Sequence, residues 1–383
     1  MNIVGRSEVR VDAFDKATGR TKYYDDLAPK DALLIRVKHS TIAHGFVKSV
    51  DISKAEKIPG VVKILTCFDV PDIPFPTAGH PWSMDPSHQD IADRHLLNRH
   101  VRYYGDDVCA VIAEDEVAAM QAVRAIEVEY EELPFVLDVQ KAMEPGAPQL
   151  HEAFPNNILK HTTAAAGNYA EAIKEPGLIK VEGWYETPTV QHCHIENHGC
   201  FCYEENGRLV VTSSTQIPHI VRRIVGQALG RPWGDIRIIK PYIGGGFGNK
   251  QDALYEPLCA WCCTQVGGRC VKLDCSREET SSPTASATPS ARTSSRGCIR
   301  TAPLPPRRSN ASPIRAATPP TAIRSWPRRS AHSTSIIPAP TLRATLTPSS
   351  PTARRRVPCA ATVCRRHRSR TNPTRSSVQR LSA

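Results

Sequence analysis

The chain has 383 residues, with 49 Lys and Arg against 38 Asp and Glu, a formal charge of +11. No apolar run approaches the ~18 residues that cross a bilayer, and no apolar leader opens the sequence, so nothing marks a membrane span or secretion. The 13 cysteines are not spaced as a small disulfide scaffold, and a reducing, cytoplasmic setting is expected.

In chain order, residues 11–25 form a polar opening segment with a turn at Thr18-Gly19. Residues 32–39 (ALLIRVKH), 45–52 (around FVKSVDI) and 61–66 read as strands, with a short helix at 53–57 ended by Pro59-Gly60. Residues 71–86 are a proline-rich loop. An apolar strand at 108–113, a helix at 116–125 and a strand at 126–130 (IEVEY) complete an α/β (α+β) module over 1–137. A linker rich in Pro and Gly is expected over 138–160.

A second module is expected over 161–280. Residues 178–187 alternate as a strand, and 200–204 with 209–213 form a hairpin around Asn206-Gly207. Residues 218–229 read as an amphipathic helix and 236–239 as a strand. Residues 253–266 read as a helix with small residues on its packed side. The cluster Cys259, Cys262, Cys263, Cys270 and Cys275 lacks the spacing of paired zinc knuckles and reads as buried thiols.

Residues 281–383 break with everything before them. They carry 19 Arg and 15 Pro but no Asp, Glu, Lys, Phe, Tyr or Met, so this stretch is +19 and the first 280 residues are −8. The basic net charge therefore says nothing about the folded part. Proline density and the lack of apolar period predict a disordered tail. A basic arm for RNA is one reading. Translation out of frame after about Thr280, in a GC-rich gene, is the favoured one, since a natural basic arm usually includes Lys.

Three motifs offer chemistry. Gly244-Gly245-Gly246-Phe247-Gly248-Asn249-Lys250 lies between a strand and a helix, where glycines let backbone N–H groups approach a ligand and the helix terminus favours an anion. It is not a phosphate-binding P-loop, because Asn249 stands where a Gly is required and Gln251 follows Lys250. Gln216, at the end of a strand, can offer an amide N–H to an oxygen. Gln191-His192-Cys193-His194-Ile195-Glu196 would place both histidines on one side of a strand. A metal site and a Glu base are conceivable there, and hydrogen-bonded interior polar groups are the favoured reading.

QHCHIE, SSTQIPHIVRR and KPYIGGGFGNKQD, in this order, resemble the molybdenum-binding subunit of the xanthine dehydrogenase and aldehyde oxidase family. RVDAFDKATGRTKYYDDL resembles that family's opening motif. HSTIAHGFVKSVD, AEKIPGVVKILTCFDVP and HVRYYGDDVCAVIAE resemble its hammerhead-like first domain. The likeness runs over residues 9–279 and is greatest to bacterial xanthine dehydrogenases with separate subunits.

The resemblance implies a hammerhead-like domain over 1–137 and the first part of a molybdopterin-binding domain over 161–280. It implies cofactor contacts from Gln216, Gly246, Phe247 and Gly248, with molybdenum held by the pterin and by no side chain. Purines such as xanthine or hypoxanthine would be hydroxylated with water as the oxygen source. Electrons would pass to iron–sulfur and FAD subunits and then to NAD. Gln251 would face substrate, where better-known relatives have Glu. The family's catalytic Glu lies beyond the matching region, so the chain offers no catalytic residue and is expected to be inactive alone. A related aldehyde or N-heterocycle hydroxylase, and a non-enzymatic protein with an RNA-binding tail, are the alternatives; neither a membrane nor nucleic acid is an expected partner.

Overall fold

The computed structural model describes residues 5, 7–76, 92–138, 141–152, 154–158, 162–166, 179–187, 191–281, 290–298, 307–313 and 342–346. It opens with two short helices, α1 (Ala13–Thr18) and α2 (Tyr24–Leu27), where only a polar turn was expected. Local capping makes them, not apolar period. Gly19 ends α1 at φ 73°, and the Asp26 carboxylate accepts from Tyr23 N–H at 2.9 Å ahead of α2.

The first module then runs β1 (Leu33–His39), β2 (Gly45–Asp51), β3 (Val61–Thr66), β4 (His100–Val101), β5 (Asp107–Ala113), α3 (Glu116–Ala125) and β6 (Glu127–Glu132). The helix expected at 53–57 is a single 3-10 turn, Ala55–Lys57. Every residue of β5 is buried, as its unbroken apolar run demands. Ala118, Ala119 and Ala122 of α3 are buried in the same cluster as Cys109, Val111 and Ala113 of β5. Asp115 caps α3 by accepting from Ala118 N–H at 2.8 Å.

The second module contributes β7 (Thr162–Ala166), β8 (Ile179–Thr187), β9 (Gly199–Glu205), β10 (Arg208–Ser213), α4 (Pro218–Leu229), β11 (Ile236–Ile239), α5 (Glu256–Gln265), β12 (Val271–Asp274) and α6 (Arg277–Ser281). Cys259, Cys262 and Cys263 of α5 are fully buried, and burial raises the thiol pKa of Cys262 above the ordinary range. One seven-stranded sheet joins the modules in the order β11-β10-β9-β12-β1-β5-β3. β12 is the seam. It pairs antiparallel with β9 and parallel with β1, Leu33 lying opposite Val271. The Tyr24 hydroxyl donates to the Asp274 carboxylate across the same seam.

Val271, Leu273, Cys275 and Thr280 are buried, and β12 lies inside the sheet. One correction concerns the tail. β13 (Ser290–Cys298), β14 (Arg307–Pro313) and β15 (Leu342–Leu346) join β7 and β8 in a five-stranded sheet, order β7-β15-β14-β13-β8. Disorder does not describe these three segments. Main-chain pairing needs no particular side chain, and their one proline, Pro313, is the last residue of its strand. The rest of the expected disordered tail lies outside the described residues. A three-stranded sheet, β4-β2-β6, completes the fold. Among the described residues no helix is long and apolar enough to cross a membrane.

Candidate functional site

The site is a corner where three connections meet: residues 191–198 before β9, residues 214–217 after β10, and the glycine loop after β11. The first is not a strand, and Cys193 takes φ 50°, so strand alternation does not apply to His192 and His194. His194 is buried, its Nδ1 against Glu196 O and its Nε2 3.1 Å from Asn249 Nδ2. Burial holds His192 and His194 at a pKa of about 4, with Lys250 adding to the effect on His194, so both rings are neutral near pH 7.

The glycine loop is shaped by left-handed backbone at Gly245 (φ 98°), Phe247 (φ 51°) and Gly248 (φ 95°). Phe247 is the non-glycine among them and is 54% exposed. The loop leads into a 3-10 turn, Asn249–Gln251, and α5 begins only at Glu256. The helix terminus expected directly behind the loop is therefore not there, and a helix dipole does not act on it. Gln251 is exposed beside the loop.

Gln216 is half-buried and faces this loop. Its N–H donates to Lys250 O at 2.8 Å, and its Oε1 accepts from Gly248 N–H at 3.2 Å. A Cβ on Gly246 would lie 2.6 Å from Gln216 Oε1, so only Gly permits this approach. The structure thus brings Gln216, Gly246 and Gly248 together, with Phe247 between the two glycines. With its oxygen engaged by Gly248, Gln216 has the two Nε2 hydrogens to offer a ligand.

Two residues carry more than their motifs signalled. Lys250 is 1% exposed, and its ammonium pairs with Glu196 Oε2 at 2.6 Å. Burial pushes Lys250 below its ordinary pKa, and Glu196 opposes that shift. Behind them, buried Glu256 accepts from Ser213 Oγ at 2.6 Å and from Leu254 N–H at 3.0 Å, and burial raises its pKa. A charged residue closing a glycine loop was the available signal for Lys250; nothing in the sequence singles out Glu256.

The corner suits an oxygen-rich ligand seated on backbone. It combines a close-approach glycine, left-handed loop residues and an oriented carboxamide. Glu196 Oε1, His192 Nε2, His198 Nδ1 and Asn249 Oδ1 are also buried without a hydrogen-bond partner among the described residues, so the corner holds more polar capacity than these residues satisfy. Among the described residues no group of three or more His, Cys, Asp or Glu is placed to hold a metal ion.

Residues 18–134 match the family model "Aldehyde oxidase and xanthine dehydrogenase, a/b hammerhead domain", and residues 150–299 match "Molybdopterin cofactor-binding domain". The chain belongs to the aldehyde oxidase and xanthine dehydrogenase family of molybdenum hydroxylases. It is 46% identical over 272 residues to the putative xanthine dehydrogenase molybdenum-binding subunit of Escherichia coli K12, covering 71% of this chain and 36% of that one. It is 33% identical over 279 residues to the nicotinate dehydrogenase large molybdopterin subunit of Eubacterium barkeri, covering 72% and 62%. The aldehyde oxidoreductase of Desulfovibrio desulfuricans shares the fold, with TM-score 0.81 at 23% identity over 92% of this chain and 39% of that one. The chain thus spans about a third of the length of the curated xanthine dehydrogenase subunit it matches.

Proposed function

We propose that this chain supplies the Gln216 side of a molybdenum-cofactor site in a xanthine dehydrogenase-type hydroxylase. When bound, the cofactor supplies hydroxylation of an electron-poor carbon with oxygen from water. Gln216 Nε2 would donate to an oxygen of that group, and the backbone around Gly246 and Phe247 would seat it. Gln251, exposed beside the loop, would meet the substrate as a hydrogen-bonding amide. The single observation that carries this reading is the Gln216 carboxamide, oriented by Gly248 N–H over a glycine that a Cβ would obstruct.

The substrate class is a purine such as xanthine or hypoxanthine, supported by the 46% identity to the bacterial subunit. Relatives named for nicotinate and for carbon monoxide make a related heterocycle or aldehyde hydroxylase the second reading. Partner subunits would hold the iron–sulfur clusters and FAD and reduce NAD. We place the chain in a reducing cytoplasm; ten of its cysteines, between Cys67 and Cys275, are free thiols. The chain is proposed to be inactive alone, and a changed reading frame after Thr280 would account for the Arg-rich tail.

Molybdenum and pterin content, with xanthine-dependent NAD reduction in the presence of flavin and iron–sulfur subunits, tests the proposal. The chain as it stands is expected to retain little molybdenum and to show no turnover. The chain continued in the restored frame is expected to gain both. Stoichiometric molybdenum and full turnover in the unaltered chain would refute its inactivity, and failure of the restored chain to retain pterin would refute the cradle.

A further inference from the structure

We infer that Glu196 is the positioning residue of the glycine loop, a role that rests on reading residues 244–250 and Gln216 as a cofactor cradle. One carboxylate oxygen, Oε2, accepts from Gly244 N–H at 2.8 Å and from Lys250 Nζ at 2.6 Å. A single atom therefore ties the first and last residues of the loop together. Glu196 N–H donates in return to Gly244 O at 3.1 Å. The approach is close enough that a Cβ on Gly244 would lie 2.5 Å from Glu196 Cβ.

Lys250 carries this constraint onward. Its ammonium is held by Glu196, and its carbonyl accepts from Gln216 N–H at 2.8 Å. Glu196, Lys250 and Gln216 thus form one chain of contacts that ends at the carboxamide facing the ligand. The segment bearing Glu196 is itself braced from α6, where Arg277 donates to His194 O and Ile195 O, each at 2.8 Å. This bracing explains why the segment keeps its place without belonging to a strand.

The same contacts argue against Glu196 as a proton acceptor. Its Oε2 is already occupied by two donors, one of them an ammonium. Lys250 is 1% exposed and the Glu196 side chain 12%. Removing the carboxylate alone would leave a buried ammonium without its anion, which is far worse than removing both charges.

Hydrogen exchange of the full chain without cofactor tests the inference, with residues 244–250 as the probe and β9 as the internal reference. Glu196→Ala is expected to speed exchange of the loop amides about a hundredfold while β9 keeps its protection. Glu196→Gln with Lys250→Met keeps an acceptor for Gly244 and removes both charges. It is expected to restore loop protection to within about threefold of the unaltered chain. Unchanged loop exchange in Glu196→Ala would overturn the inference, as would a double variant no better protected than the single one. If Glu196→Ala unfolds β9 as well, the double variant decides: restored protection supports the inference, and lost protection sinks it. The cradle reading fails separately. An ordered loop that holds no pterin in the restored chain would sink that reading and leave the role of Glu196 in loop geometry intact.

Discussion

The seven-stranded sheet and the glycine-loop corner are held by different forces. In the sheet, Leu33, Ile35, Ile112, Val211 and Leu273 are each no more than 2% exposed and share one apolar cluster. The corner is fixed by main-chain bonds, one carboxylate, one ammonium and one carboxamide. Apolar burial is non-directional and scales with area, so it secures the whole fold. Hydrogen bonds are directional and add little net stability, so they secure the placement of a few atoms. Substitutions in the first region should therefore change global stability, and those in the second should change local geometry.

The largest expected effect is in the sheet. Ile112→Ala deletes a fully buried side chain from β5, which pairs with both β1 and β3, and should cost about 2–5 kcal/mol by denaturant unfolding. A loss well under 1 kcal/mol would blur the comparison.

Between the two regimes lies His39, within ion-pair reach of Asp107 at 3.1 Å and of Glu279 at 3.5 Å. Burial disfavours its charge, but Asp107 and Glu279 outweigh burial and raise its pKa from 6.5 to about 9. Burial likewise opposes ionisation of Glu279, but His39 and Ser276 lower its pKa from 4.5 to about 2. The His39 contribution is complete below pH 6.5 and is lost as pH rises through about 9; the Glu279 contribution is complete above pH 4.5 and is lost as pH falls through about 2. Stability from this link between modules should be greatest between pH 4.5 and 6.5 and fall by on the order of 2 kcal/mol toward pH 10. His39→Gln should flatten the alkaline limb of an unfolding series.

Asp115→Ala removes the cap of α3 and should cost about 1 kcal/mol of thermal stability. The smallest global effect is expected from Gly246→Ala. The added Cβ meets the movable end of Gln216, so stability should fall by less than about 1 kcal/mol. Gly248 amide exchange should nevertheless rise, because Gln216 Oε1 is its acceptor. A large stability loss without a change at Gly248 would break the distinction between the regions.

Strands with long apolar or alternating runs were legible from sequence: β1, β5, β9, β10 and helices α3 and α4 follow their periods closely. β12 was not, because four residues (VKLD) carry too little pattern and its neighbours are supplied by tertiary pairing. In the corner, Gln216 and the glycine loop were visible as motifs. The Glu196–Lys250 pair was not, since the partners stand 54 positions apart in two separate motifs. The helix-terminus expectation failed because residues 249–255 intervene before α5.

The parallel seam between β1 and β12 sets a timetable for biosynthesis. About 240 residues separate the paired Leu33 and Val271, so at 5–20 residues per second roughly 12–50 s pass before the second edge of β1 gains its neighbour. Until then the nascent chain carries an open strand edge that invites pairing with other chains. Through that interval the edge of β1 has to stay shielded if the chain is to avoid pairing with its neighbours.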